Sequence, residues 1–202
     1  MEFDKRLIAG KLRRWEHYLN EYRLPEWNDI PDLGLYMEQV IELLKQYLDY
    51  FPPELKEEQF ITRATINNYV SKRVMPEPVG KRYYRVHIAY LIMICSLKQC
   101  LSIPTLQTMI PLGLSGEELE ATYTAYVKRH QIAARVFVGQ VRTAAGGILD
   151  HARDPNSDLA TDSTADLIAE VAVISGFSRL LAEKLLLLNG KTLENGGSIE
   201  RR

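Results

Sequence analysis

Thr62-Arg63-Ala64-Thr65-Ile66-Asn67-Asn68-Tyr69-Val70-Ser71, followed by Met75-Pro76-Glu77-Pro78-Val79-Gly80 and Lys81-Arg82-Tyr83-Tyr84-Arg85, carries the main structural decision in this sequence. The Thr62 hydroxyl can accept a hydrogen bond from an orphan amide of a first helical turn. Helical spacing then puts Ile66, Tyr69 and Val70 on one side and Arg63, Thr65, Asn67 and Asn68 on the other. A short helix docked by its apolar side, with polar side chains outward, suits the major groove. Asparagine can pair with adenine and arginine with guanine. Pro76, Pro78 and Gly80 stop the helix, and the basic-aromatic run that follows suits a two-stranded wing. There, cations neutralise phosphate and tyrosines brace the loop. The expected DNA-facing set is Arg63, Thr65, Asn67, Asn68, Lys72, Arg73, Lys81, Arg82, Tyr84 and Arg85.

Charge distribution agrees with that expectation. The whole chain has a formal net charge of -1, from 25 basic and 26 acidic residues. Between Ile61 and Gln99, however, seven bases face the single acid Glu77, so this segment carries +6 and the remainder -7. A local basic surface on an otherwise acidic protein fits one module that meets phosphate. A solvated basic face with no partner has the same composition.

Outward from this core, residues 3–22 and about 32–47 have helical apolar spacing, the second with Asp32 as its expected cap. Further helices are expected from about Val86 to Cys100, from Ser102 to Ile110, from Glu117 to His151 and from Thr164 to Asn189. Pro104 fits a first turn, Ser115 and Glu118 form a capping box, and Gly146 and Gly147 weaken the end of the long helix. The predicted organisation is an N-terminal helix and linker over 1–31, a winged domain over 32–112, a helical dimerisation or sensing region over 113–190, and a flexible tail over 191–202. Leu185 to Leu188 cannot share one narrow face, so that end is expected to be deeply buried or in an oligomer interface.

The strings Thr65-Ile66-Asn67-Asn68-Tyr69, Gly80-Lys81-Arg82-Tyr83-Tyr84 and Leu101-Ser102-Ile103-Pro104-Thr105-Leu106 resemble the recognition helix, wing and later short helix of MerR-type regulators over residues 36–110. The match places Gly80 at the start of the wing, Arg82 at its arginine, Tyr84 at its closing tyrosine, and Thr65 and Tyr69 in the recognition helix. Including Leu24-Pro25-Glu26-Trp27 and the helical second half, the chain is more closely similar to the bacterial domain-of-unknown-function family numbered 1836. The resemblance implies a mainly helical, all-α fold with a small β wing, and a sequence-selective transcription regulator that binds double-stranded DNA as a homodimer. A small-molecule or protein effector is a further implied partner, with no membrane. The alternative is a helical protein-interaction adaptor without DNA binding. It is favoured by Asn67 and Asn68, where arginine and tyrosine are common, and by Glu54, Glu57 and Glu58 beside the motif.

Catalytic and metal-binding patterns are weak. His17, His87, His130 and His151 are scattered, and Asp150-His151 with Asp154 is a poor candidate metal cluster. Gly190-Lys191-Thr192 matches only the end of a phosphate loop. Cys95 and Cys100 read as buried free thiols. Tyr123, Tyr126, Phe137 and Phe177 could line an apolar pocket but fit core positions better. No enzyme activity, cofactor or metal is expected. With neither an apolar leader core nor a run long enough to span a bilayer, a cytoplasmic location is the expected default.

Overall fold

The computed structural model describes residues 3–49, 61–149 and 161–192. Within them lie seven α-helices: α1 (Lys5–Glu21), α2 (Met37–Tyr47), α3 (Arg63–Ser71), α4 (Arg85–Leu97), α5 (Ile103–Met109), α6 (Gly116–Ala144) and α7 (Thr164–Leu187). One 3-10 turn spans Trp27–Asp29. The described residues contain no β-strand, only two isolated antiparallel bridges, Val79 with Arg82 and Leu35 with Tyr83. The expected winged helix-turn-helix is therefore overturned, and the fold is all-α.

The absent wing has a local cause. Gly80 and Lys81 both have left-handed backbone, φ 57° and 62°, so the chain reverses in two residues. Val79 and Arg82 exchange backbone hydrogen bonds of 3.1 and 3.0 Å across this turn. No ladder can grow from it. On one arm Pro76 and Pro78 lack the N–H that a rung requires. On the other, Tyr83 pairs with Leu35 and Tyr84 is already the N-cap of α4.

The Leu35–Tyr83 pairing also delays α2. Asp32 does not cap it but accepts a hydrogen bond from the Arg85 backbone N–H at 3.2 Å, and Tyr36 is the N-cap. Elsewhere the capping residues read from sequence do their work. Thr62 accepts from Thr65 N–H at the start of α3, and Ser102 accepts from Thr105 N–H at the start of α5, where Pro104 sits in the first turn.

α4 is the centre of the main core. All nine residues from His87 to Cys95 are buried, so this helix is enclosed on every side rather than on one stripe. α2 and α6 pack against it, α3 packs on α2, and the 3-10 turn lies on α6. Tyr123 of α6 is fully buried and donates to Pro25 O at 2.9 Å, tying the long helix to the chain just before the 3-10 turn.

A second, smaller core joins Ala9 of α1, Val141 and Ala144 of α6, Ile148, Leu149 and Leu167 of α7. α6 ends at Ala144, short of the expected His151, in a turn containing Gly146 and Gly147. A Cβ on Gly147 would meet Thr161 O and the Asp162 Cβ at 3.0 Å. Only glycine fits that close approach without displacing the chain leading into α7. His151, with Asp150 and Asp154, lies outside the described residues.

Ser115 and Glu118 form the reciprocal capping box expected for α6, at 3.2 Å for Glu118 N–H to Ser115 Oγ and 2.8 Å for Ser115 N–H to Glu118 Oε2. The Ser115 backbone N–H, and after it the Ser115 side chain, hold the Glu118 carboxyl below its ordinary pKa. A depressed carboxylate pKa favours the fold above the unfolded-state value, and that contribution is lost as pH falls through the folded value. Ser115→Ala is expected to cost about 1 kcal/mol through loss of the cap. It should move the Glu118 titration only part of the way back, because alanine keeps the backbone N–H that is the larger cause of the shift and removes only the hydroxyl. Urea melts and a carboxyl-detected NMR titration check both parts; an unchanged Glu118 titration would show that the Ser115 hydroxyl contributes nothing to it.

Candidate functional site

The ten residues expected to face DNA divide into side chains already committed to the fold and a solvated remainder. Arg63 forms an ion pair with Glu38 of α2. Thr65 donates its hydroxyl to Thr62 O at 2.8 Å, closing the α3 cap. Arg82 donates to Gly34 O at 2.8 Å and Tyr36 Oη at 2.7 Å, and its guanidinium lies 4.2 Å from the Tyr36 ring centroid. Arg85 donates to Ile30 O at 2.8 Å and stands 5.7 Å from the Trp27 ring centroid. Tyr84 is half-buried beside His87, while Asn67, Asn68, Lys72, Arg73 and Lys81 are exposed.

DNA recognition is overturned with the wing that was to carry it. The described residues present no groove-reading helix with a supporting β wing, and three arginines of the +6 segment have intramolecular partners instead of open guanidinium groups. The expected homodimer, needed to hold two recognition helices at paired half-sites, loses its premise with them.

Sequence reasoning missed why these cations are present. Arg82 fastens the turn to the chain entering α2, and Arg85 fastens α4 to the segment after the 3-10 turn. His87 completes the clamp. Its Nδ1 accepts from Tyr84 N–H at 3.0 Å, which places the proton on Nε2, 2.9 Å from Glu77 O. Arg82→Ala is expected to lower stability by about 1–2 kcal/mol, since it removes two hydrogen bonds and a cation–π contact. Arg82→Lys should restore less than half of this, because an ammonium cannot reproduce the planar fork. Paired denaturant melts test it; full rescue by lysine would reduce the contact to simple charge.

Among the described residues, the groups with shifted titration form no catalytic arrangement. Burial pushes the Cys95 thiol up to about 12, the reverse of an activated nucleophile. Cys100, expected to be buried, is exposed after α4. Burial raises the Tyr126 phenol to about 12 and lowers His130. No group of three or more His, Cys, Asp or Glu is placed to hold a metal ion among the described residues. The four aromatic residues considered for a ligand pocket do not converge. Tyr123 is core, Tyr126 packs on the same core, Phe137 meets Trp15 edge-on at 5.4 Å, and Phe177 is exposed. No helix is long and apolar enough to cross a membrane, within the residues described.

What the structure does present is the outward side of α7. At about 100° per residue, Thr164, Leu167 and Val171 turn toward the second core and Ala182 and Leu186 toward α5. Ala169, Val173, Gly176, Phe177, Leu180 and Leu187 fall on the opposite side. That side is open: Phe177 is 68% exposed and Leu187 69%, with Val173 and Leu180 each more than half exposed, and near the helix end Leu181, Leu185 and Leu188, off that side, are more than half exposed too. The leucine-dense end is thus exposed rather than deeply buried. Gly176 and Ala169 leave shallow steps between the larger side chains, with nothing within 4 Å of a Cβ built on Gly176. Asp166 lies at one end and Lys184 toward the other, and Arg179 is paired with Glu183 at 3.0 Å. Large contiguous apolar patches are rare on isolated soluble proteins and mark surfaces that meet another molecule.

The family profile of DUF1836, a domain of unknown function, matches residues 25–132, more than half of the chain. The match begins just before the 3-10 turn and ends within α6, so α1 and α7 lie outside it. No curated protein and no solved structure matches the chain.

Proposed function

The chain belongs to the DUF1836 family, which brings no activity with it, and from its own surface we propose that it is a non-catalytic helical protein-interaction module. The observation that supports this reading is the open apolar side of α7 around Val173, Phe177, Leu180 and Leu187. Residues 32–112 serve as its scaffold, and residues 113–190 present the docking helix. The occupant is an amphipathic helix of a different protein, with apolar side chains at i, i+3, i+4 and i+7. Gly176 and Ala169 let its backbone approach closely. A base across from Asp166 and an acid across from Lys184 would set its direction.

Selection of the full-length chain against a displayed library of amphipathic helical peptides tests this reading. Enriched peptides should be retained by the native protein and lost with the Phe177→Glu/Leu180→Glu variant. Recovery of no helical peptide would overturn it, as would a set of enriched peptides none of which loses binding on the double substitution. Self-association abolished by the same substitutions would assign the face to a second copy and also overturn it.

A further inference from the structure

Among the described residues, α2 carries a second surface that no other element fills. Pro31, Leu35, Glu38, Gln39, Glu42, Leu43 and Gln46 line a shallow trough of about 500 Å³ whose lining is almost wholly apolar. Pro31, Leu35 and Leu43 are half-buried and form its floor, while Glu38, Gln39, Glu42 and Gln46 are exposed. The floor is held from beneath, because Val40 and Leu44 on the inward side of α2 are fully buried. Glu38 and Glu42 are one helical turn apart, so their carboxylates line the same margin. Glu38 already holds a guanidinium, that of Arg63. Glu42 forms no ion pair with another described residue.

We propose that this trough docks a cationic amphipathic helix of a partner protein. Its apolar side chains, spaced i and i+3 or i+4, seat against Pro31, Leu35 and Leu43, and a lysine or arginine one turn away reaches Glu42. Charge complementarity selects this occupant. With Glu38 paired to Arg63, Glu42 sets the selection: an acidic helix would bring a carboxylate toward it, and an uncharged one would leave it without a counter-charge. From Glu38 to Gln46 the margin runs about 12 Å along the axis, which accommodates two turns of a docked helix. A small organic ligand fits less well, since no buried polar group converges on the floor to orient it. The trough is independent of the α7 face and stands or falls separately from it.

Fluorescence anisotropy with the full chain and a labelled two-heptad Leu/Lys amphipathic peptide tests the assignment. A Leu/Glu peptide of the same apolar pattern is the comparison. The Leu/Lys peptide should bind, and the Leu/Glu peptide should bind at least about tenfold more weakly. Glu42→Lys should weaken the Leu/Lys complex about tenfold or more, whereas Glu117→Lys, the same charge change on α6, should alter it less than about twofold. Gln46→Glu, which adds a carboxylate to the margin, should tighten it. The Phe177→Glu/Leu180→Glu variant should bind as the native chain does. Circular dichroism establishes that each variant is folded. Absence of binding, equal affinity for both peptides, equal losses from Glu42→Lys and Glu117→Lys, or loss in the α7 variant would each overturn the proposal.

Discussion

Replacing Phe177 and Leu180 together with glutamate is expected to leave the helical fold standing while lowering affinity for an α7-docking helix by roughly 100-fold or more. Both side chains are more than half exposed, so neither substitution opens a cavity, and glutamate is a good helix former. The effect belongs to the complex. A well-packed aromatic side chain at the centre of an interface can cost about 2–4 kcal/mol when removed, and two carboxylates there would be desolvated without partners. Isothermal titration with a peptide selected by the native chain checks the number. A loss below about threefold with an intact circular dichroism spectrum would show that Phe177 and Leu180 lie outside the contact.

Tyr123→Ala is expected to be the most damaging single truncation in the main core. Tyr123 is fully buried, its ring centroid is 6.0 Å from that of Trp27, and its hydroxyl satisfies Pro25 O. Truncation leaves both a cavity and an unpaired carbonyl, for a cost of about 3–5 kcal/mol. Tyr123→Phe removes only the hydrogen bond and should cost about 1 kcal/mol. The contrast separates packing from polarity at the joint between α6 and the 3-10 turn. Urea denaturation of the three proteins provides it, and equal losses in both variants would make the hydrogen bond, not the ring, the principal contribution.

Helix starts were readable because their signals are local. Thr62, Ser102 and Ser115 each precede a helix and accept from an amide of its first turn, a geometry set within four residues. The wing was misread because the same residues serve two structures. Gly80, Arg82 and Tyr84 would suit a hairpin, yet here Leu35, nearly fifty positions earlier in sequence, takes Tyr83 as its bridge partner. Gly34 supplies the carbonyl that holds Arg82. No periodicity within 75–85 announces partners so distant.

Charge counting failed for a related reason. Arg63 and Glu38 lie on different helices, so a sum over 61–99 records the base without the acid that meets it. α4 exposed another limit: a helix was expected over about Val86 to Cys100, and one forms, but the whole run from His87 to Cys95 is enclosed rather than a single apolar stripe. The α7 surface was legible only in part. Leu185 to Leu188 stood out, whereas Phe177 read as a core or pocket aromatic. Its outward position depends on which side of α7 meets Ala9 and Val141, a tertiary choice that sequence spacing alone leaves open.

Methyl NMR of the full-length chain titrated with a selected helical peptide tests the central claim most directly. The Val173, Leu180, Leu181 and Leu187 methyl signals should shift together and saturably, while those of the core residues Leu44 and Leu91 stay in place. Shifts centred on Leu35 and Leu43 of the α2 trough, or confined to residues away from α7, would contradict the assignment of α7 as the docking helix.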